Sequence, residues 1–177
     1  YTILQLIMEE VTGRPFADYM DDNVFKPLGM KNTSFNLKAR ILKHSATPYD
    51  ENGEAMYLVR FAAQAAAGLH TTLDDLIIFT EASFDKNPVL KNESLNTLIA
   101  PTTLANNDYG LGYMVMDRFG FRLVGHAGSN DGWQAGMMFN FESGSGIILL
   151  TNGSNGKRIA FGALQKWAKW HKSSLRK

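Results

Sequence analysis

The sequence predicts an α+β fold in which a mainly helical region, residues 1–107, precedes an antiparallel sheet covered by a C-terminal helix, residues 108–177. Apolar residues recur at helical spacing through much of the first region. The second region instead holds short β-branched or aromatic runs punctuated by Gly, Asn and Asp. No linker rich in Pro or Ser separates the two regions, so residues 1–177 are expected to form a single domain.

The helical region opens with an amphipathic pattern. Its apolar residues follow the spacing i, i+3, i+4, i+7. The buried face of this first helix is predicted to hold Tyr1, Leu4, Ile7, Met8 and Val11. Gly13 is placed to end the helix, and Pro15 to begin a second one that closes near Pro27.

A capping pattern marks a later helix start. Thr72 and Asp75 are expected to satisfy exposed backbone donors at the beginning of a helix over Leu73–Ser83. Another short helix is expected over residues 92–99, where Pro101 stops it.

Four antiparallel strands are expected in the second region. Their predicted ranges are Tyr109–Met116, Phe121–Gly125, Gln134–Phe141 and Gly146–Thr151. Gly120 and Gly144 suit hairpin turns between neighbouring strands. A helix over Lys157–His171 follows, and it is expected to cover one face of the sheet. Its predicted apolar face holds Ile159, Ala160, Ala163, Leu164, Trp167 and Trp170.

Composition excludes several classes of partner and site. The formal charge is +1, which predicts no nucleic-acid partner. No run of ~18 apolar residues predicts a membrane span, and the absence of cysteine excludes disulfides and thiolate metal sites. His44, His70 and His171 lack metal-ligand spacing, so no metal or other cofactor is predicted, and a solvated or capping role is expected for each.

The stretch Leu123–Trp133 carries most of the chemical information. An apolar strand is predicted to end there at His126, Ala127 and Gly128, followed by a polar turn at Asp131 and Gly132. Imidazole can carry a proton or, when charged, recognise a carboxylate. Glycine on an edge strand lets a substrate backbone approach closely. From the residues alone, the favoured interpretation of a lone His126 is a structural role, with the ring hydrogen-bonded to the turn.

Several segments, in this order, resemble one known family. The quoted segments are Tyr1–Phe16, Phe25–Thr33, Ala66–Leu76, Tyr109–Tyr113, Gly125–Gly128 and Leu149–Asn152. Together they resemble the C-terminal portion of the penicillin-recognising serine hydrolases, which include class C β-lactamases, D-alanyl-D-alanine peptidases and related esterases. His126-Ala127-Gly128 falls where that family has Lys-Thr-Gly or His-x-Gly.

The resemblance implies acyl transfer through a serine in a β-lactamase/transpeptidase-like fold. It places the family's Ser-x-x-Lys and Tyr-x-Asn motifs upstream of Tyr1, so the fold is expected to be incomplete in this chain. By carry-over, His126 takes the third-motif position and the Ser129 backbone N–H is one oxyanion donor. Ala127, Gly128 and Asn130 would contact substrate. Histidine in place of lysine favours an esterase, peptidase or amidase.

Two Ser-x-x-Lys strings occur in the chain, beginning at Ser83 and Ser154, and both are predicted to be accidental because neither serine opens a buried helix. The expected partners are a small-molecule or peptide substrate and the segment upstream of Tyr1, with self-association through uncovered apolar surface. The resemblance implies a periplasmic or extracellular location. The alternative is a catalytically inactive relative that binds peptide or cell-wall fragments or acts as a scaffold.

Overall fold

The computed structural model describes residues 1–84 and 86–174. The chain forms two compact units. The first comprises Tyr1–Thr47 and Tyr57–Val89, and the second comprises Pro48–Met56 and Leu90–Lys177. The single-domain organisation expected from the sequence stays a prediction.

The first unit is helical. Its α-helices are α1 (Thr2–Thr12), α2 (Phe16–Met20), α3 (Lys26–Leu28), α4 (Ala39–His44), α5 (Gln64–Ala67) and α6 (Leu73–Ala82), with a π-helical stretch, Asp21–Phe25, joining α2 to α3. Gly13 ends α1 in the left-handed conformation, with φ of 64°, as the sequence predicts. Pro15 precedes α2 directly, which confirms the predicted start of the second helix.

The predicted buried face of α1 is wrong. Leu4, Ile7 and Val11 are exposed, Val11 by 80%, whereas Gln5 is the buried residue of the helix. The reason lies in the neighbour: Gln5 Nε2 donates to the Ala62 carbonyl at 3.4 Å, and Gln5 Oε1 accepts from the Ala65 N–H at 3.1 Å. The contact with the α5 segment is therefore polar, and within the first unit the apolar stripe is left uncovered.

The capping prediction at α6 is half right. Thr72 Oγ1 accepts from the Asp75 N–H at 3.3 Å and so caps the helix. The Asp75 carboxylate, which is buried, does not turn back to the helix end. It accepts from the Asn32 N–H and from the Thr33 hydroxyl, both at 2.7 Å, and thereby ties a distant loop to α6.

The second unit is built on one antiparallel sheet in the order β1-β2-β3-β4. Its elements are α7 (Asn92–Ile99), β1 (Met114–Arg118), β2 (Phe121–Asn130), β3 (Trp133–Asn140), β4 (Ser145–Thr151) and α8 (Gly156–Ser174). Four sequential strands confirm the prediction, and the largest differences from the predicted bounds are at two strand ends. The first strand begins at Met114 rather than at Tyr109, and the second continues to Asn130 instead of stopping at Gly125.

The hairpins explain the register of the sheet. Phe119 and Gly120 both have positive φ, 64° and 89°, which suits the two-residue turn between β1 and β2. Asp131 and Gly132 close the β2–β3 hairpin, where Asn130 pairs with Trp133. Because the β2–β3 turn begins only at Asp131, the ladder with β3 extends β2 beyond its apolar residues.

The core of this unit lies on both faces of the sheet. Leu123 and Val124 are consecutive and both buried, and consecutive strand residues point to opposite faces. Helix α8 packs on β3 and β4, and its Trp167 contacts Phe121 edge to face at 6.1 Å. This confirms that the C-terminal helix covers the sheet.

Individual residues of α8 depart from their predicted positions. Ile159 and Trp170 were expected on the covered face, but they are 70% and 62% exposed. His171 was expected to be solvated, but it is only 3% exposed. Its burial next to Phe121 and Trp167 means that the covered face is rotated from the predicted one toward His171. No helix among the described residues combines the length and the apolar character that crossing a bilayer requires.

Candidate functional site

Strand β2 is longer than the strand on one side of it. β1 pairs with Phe121–Gly125, whereas β3 pairs with Val124–Asn130. Residues 126–130 therefore have a strand neighbour on the β3 side only, within the part of the chain that the structure describes. A strand edge of this kind presents backbone N–H and C=O groups that can pair with an extended ligand.

All of the residues predicted to form the site lie on this segment, which we call the open β2 edge (residues 126–130). Ala127, Gly128 and Ser129 are exposed, while His126 and Asn130 are half-buried. The side chains of His126 and Asn130 share one face of the sheet by strand alternation, and Gly128 lies between them on that face. Phe121 contacts α8, so this face is the one opposite the helix.

His126 has a specific partner that sequence reasoning missed. Its Nε2 lies 2.6 Å from the Tyr109 hydroxyl, and the two rings meet edge to face at 5.8 Å and 89°. Tyr109 is half-buried and forms a bridge with Met114 at the start of β1. The Tyr109-Gly110-Leu111-Gly112 sequence had predicted only a strand, because no spacing rule links Tyr109 to a histidine 17 residues later.

The loop around Tyr109 is fixed by its backbone. The Thr102 N–H donates to the Tyr109 carbonyl at 2.9 Å, and the Leu111 N–H donates to the Leu98 carbonyl at 2.8 Å. A Cβ atom at Gly110 would lie 2.3 Å from the Leu98 carbonyl oxygen, so glycine is needed for this close packing on the end of α7. These contacts place the Tyr109 hydroxyl beside β2.

Two glycines of β2 have different surroundings. A Cβ atom at Gly125 would lie 1.9 Å from the Met137 carbonyl oxygen, so the close approach of β3 requires glycine there. A Cβ atom at Gly128 would meet nothing within 4 Å. The described packing therefore does not require glycine at position 128.

The turn at the end of the open β2 edge is anchored. The Gly132 N–H donates to Ser154 Oγ at 2.8 Å, and φ at Gly132 is 80°. A Cβ atom at Gly132 would lie 2.6 Å from the Cβ of Pro48. The polar turn predicted from the sequence is thus present, and it holds the far end of the segment in place.

Arg122, on the same face of β2 as His126, is engaged by a carboxylate. Arg122 donates to both carboxylate oxygens of Asp117, at 2.9 and 2.8 Å, across the β1–β2 ladder. These hydrogen bonds lower the pKa of the Asp117 carboxyl below its ordinary value. Of residues 126–130, His126 carries the imidazole, and Arg122 lies outside this segment.

Neither Ser-x-x-Lys string forms a nucleophile pair. Ser83 Oγ donates to the Phe79 carbonyl at 3.1 Å at the end of α6, and Lys86 lies outside any helix. Ser154 Oγ accepts from Gly132, and Lys157 is exposed in the first turn of α8. Their interpretation as accidental strings stays a prediction.

Comparison with known proteins gives a consistent family assignment. A family model described as beta-lactamase matches residues 1–168. The D-aminopeptidase of Brucella ovis is 29% identical over 160 residues, which cover 80% of this chain and 30% of that protein.

Solved structures give the same comparison in three dimensions. The D-amino acid amidase from Ochrobactrum anthropi SV3, complexed with L-phenylalanine, has a TM-score of 0.69 at 26% identity, over 85% of this chain and 47% of that one. The D-alanine carboxypeptidase from Burkholderia cenocepacia has a TM-score of 0.74 at 18% identity, over 86% of this chain and 54% of that one. The chain spans about a third of the length of the curated relatives that it matches.

Proposed function

The chain belongs to the beta-lactamase family of serine hydrolases, and on that premise we propose that it supplies the later wall of the active site in an acyl-transferring hydrolase. The observation that carries the proposal is the open β2 edge. His126 and Gly128, which resemble the family's third motif, lie on this edge beside backbone groups that have no partner on β1. A substrate can lie along this edge as an added strand while its reactive carbonyl is held for attack.

Each residue of the edge has a proposed role. His126 donates a hydrogen bond to the substrate or presents a positive charge to it. Gly128 lets the substrate approach the backbone, and Ala127 and Asn130 contact the substrate. The Ser129 N–H serves as one of two oxyanion donors. Alternate residues of a strand send their N–H and C=O groups to the same side, so two or three residues of the edge face the unpaired side together.

We propose a D-amino acid amide or short peptide as the substrate class. Histidine in the third-motif position replaces a permanent ammonium, which disfavours a dedicated β-lactamase. The D-aminopeptidase and the D-amino acid amidase among the compared proteins support an amide or peptide bond next to a D-residue. An ester substrate fits the same acyl-enzyme chemistry and is the second substrate to test.

The nucleophile in this proposal belongs to another part of a longer protein. Ser83 and Ser154 are engaged elsewhere, and the chain covers 30% of the Brucella relative. The 177-residue chain by itself is then expected to turn over no substrate, because the acyl intermediate needs the nucleophile.

The exposed stripe on α1 supports a related proposal about partners. The stripe is exposed at Leu4, Ile7 and Val11. An exposed apolar face of this kind commonly marks a surface on which another segment packs. We propose that an upstream segment covers it in the longer protein, and that the chain alone self-associates through it. A sharp monomer at high concentration in light scattering would contradict the self-association.

The decisive experiment is intact-mass spectrometry of the full-length protein after incubation with a fluorophosphonate, followed by peptide mapping. An adduct on a serine upstream of Tyr1 is the expected result. The 177-residue chain is the matched control and should remain unlabelled. His126→Gln in the full-length protein should lower kcat/KM for a D-amino acid amide by about 100-fold, the usual contribution of a positioned proton-carrying group.

A catalytically inactive binding protein is the competing function. Folded full-length protein that gives no adduct, but still binds a D-amino acid peptide, would overturn the hydrolase proposal in its favour. Labelling on Ser83 or Ser154 would also overturn the assignment of the nucleophile, and Ser83→Ala and Ser154→Ala are the variants that identify such labelling.

A further inference from the structure

We propose that Tyr109 is the positioning residue of His126: its hydroxyl donates to Nε2, holds the neutral imidazole as the Nδ1–H tautomer, and so makes Nδ1–H the group offered to substrate. The tautomer depends only on Tyr109 and His126, which the structure describes. The contact between Nδ1–H and substrate rests on the proposed function.

The geometry favours this direction of the hydrogen bond. The distance of 2.6 Å between Nε2 and the Tyr109 oxygen is short, as expected for an O–H donor. A neutral imidazole has one N–H and one acceptor nitrogen, so a hydroxyl that donates to Nε2 leaves the proton on Nδ1. Among residues 1–84 and 86–174, Nδ1 of His126 has no hydrogen-bond partner.

The same contact survives protonation of the ring. In the imidazolium form Nε2–H donates to the Tyr109 oxygen, which can accept as well as donate. Nδ1 then carries a proton in both charge states. A lysine ammonium can only donate, and the resembling family has Lys or His at this position. Tyr109 thus gives an amphoteric imidazole the donor-only behaviour of lysine.

The rigidity of the loop supports a positioning role. Tyr109 is held at its carbonyl by Thr102, and Gly110 packs against the Leu98 carbonyl without room for a side chain. The edge-to-face contact of the two rings further restricts rotation of the imidazole. A hydroxyl fixed in this way orients its partner with little entropy left to lose on substrate binding.

Nitrogen NMR of the 177-residue chain tests the tautomer without any assay of activity. With ¹⁵N-labelled histidine, under conditions in which the His126 signals are those of a neutral ring, His126 should show a protonated Nδ1 and an unprotonated Nε2. His126→Gln assigns the signals among the four histidines. Tyr109→Phe should shift the pattern toward the Nε2–H form, whereas Tyr113→Phe, which removes a hydroxyl from the same segment, should leave it unchanged.

Two NMR results would overturn the proposal. One is a wild-type His126 with the proton on Nε2. The other is a Tyr109→Phe variant whose His126 signals match those of the wild type. Loss of the fluorophosphonate adduct, by contrast, would remove the proposed function and leave the tautomer intact, so the two failures are distinguishable.

A double-mutant cycle in the full-length protein tests the effect on catalysis. Tyr109→Phe should lower kcat/KM for a D-amino acid amide about tenfold in the wild-type background. In the His126→Gln background it should have no further effect, because the two residues act as one unit. Equal losses in both backgrounds would show that Tyr109 acts only through general packing and would overturn the positioning role.

Discussion

Two histidines of the second unit occupy contrasting environments on opposite faces of the same sheet. His171, on α8, is buried, stacks on Trp167 at 5.2 Å, and has a hydroxyl beside each ring nitrogen: Ser143 at 3.3 Å and Ser145 at 3.1 Å. His126, on β2, is half-buried and has one nitrogen beside Tyr109.

The difference teaches which histidine is available for chemistry. A ring with both nitrogens engaged inside the core has no free group for a ligand, so His171 serves packing. A ring held at one nitrogen on an open strand edge is oriented but still able to bind. Burial and partners separate the two roles.

The largest expected effect compares the two glycines that flank His126. Gly125→Ala should destabilise the chain by about 3 kcal/mol, because the new Cβ would collide with the Met137 carbonyl and force β2 from β3. Gly128→Ala meets no atom within 4 Å and should change stability by less than ~0.5 kcal/mol. Urea denaturation followed by circular dichroism measures both.

Equal losses at the two positions would mean that the open β2 edge is packed as tightly as its beginning. In that event the argument for backbone access at Gly128 would be lost. A stable Gly128→Ala variant whose full-length form has a raised KM would instead sharpen it, because the methyl group would then obstruct only the substrate.

The next effect compares the histidines themselves. His171→Ala should cost about 2 kcal/mol of unfolding free energy, since it leaves a cavity beside Trp167 and two hydroxyls without their ring partner. His126→Gln should cost about 1 kcal/mol or less, the value of one hydrogen bond. Trp170→Ala, on the exposed side of α8, is the control and should be near neutral. A reversed order of the two histidines would refute the division of roles.

Sequence reasoning located the elements of this unit well because their signals are local. Gly120 and Gly144 predicted turns, and the periodic apolar residues of α8 predicted a helix over the sheet. It failed where the outcome depends on which other elements pack against a segment. The pairing with β3 extends β2 to Asn130, and the identity of the covered face of α8 depends on where the helix lies on the strands.

The candidate site shows the same division. His126 and Gly128 were predicted from a short motif and its family resemblance, whereas Tyr109 depends on a loop that folds back onto β2. In α1, apolar periodicity indicated a buried face, but the residue that is buried is Gln5, which makes polar contacts with the α5 segment. Periodicity identifies a surface that can be buried, and the partner determines whether it is.

The smallest expected effect is on the pH dependence of stability, and it concerns His70. This histidine tests what partial burial alone does to a ring. Burial lowers the pKa of His70 below its ordinary value, because the protonated ring loses solvent. The folded state then binds fewer protons than the unfolded state, whose imidazole titrates near pH ~6.5. This contribution to stability is therefore complete above about pH 6.5 and is lost as the pH falls through the folded pKa.

Replacement of His70 by glutamine should flatten the pH dependence of unfolding between about pH 8 and about pH 5. The change should be less than ~1 kcal/mol, because the ring is only half-buried and solvent screens its charge. Urea denaturation of wild type and His70→Gln across this range measures it, and the difference at about pH 8 gives the part that does not depend on protonation. A steeper loss of stability in the variant at low pH would mean that the folded state favours the charged form of His70. Partial burial would then not be what sets the pKa of this histidine.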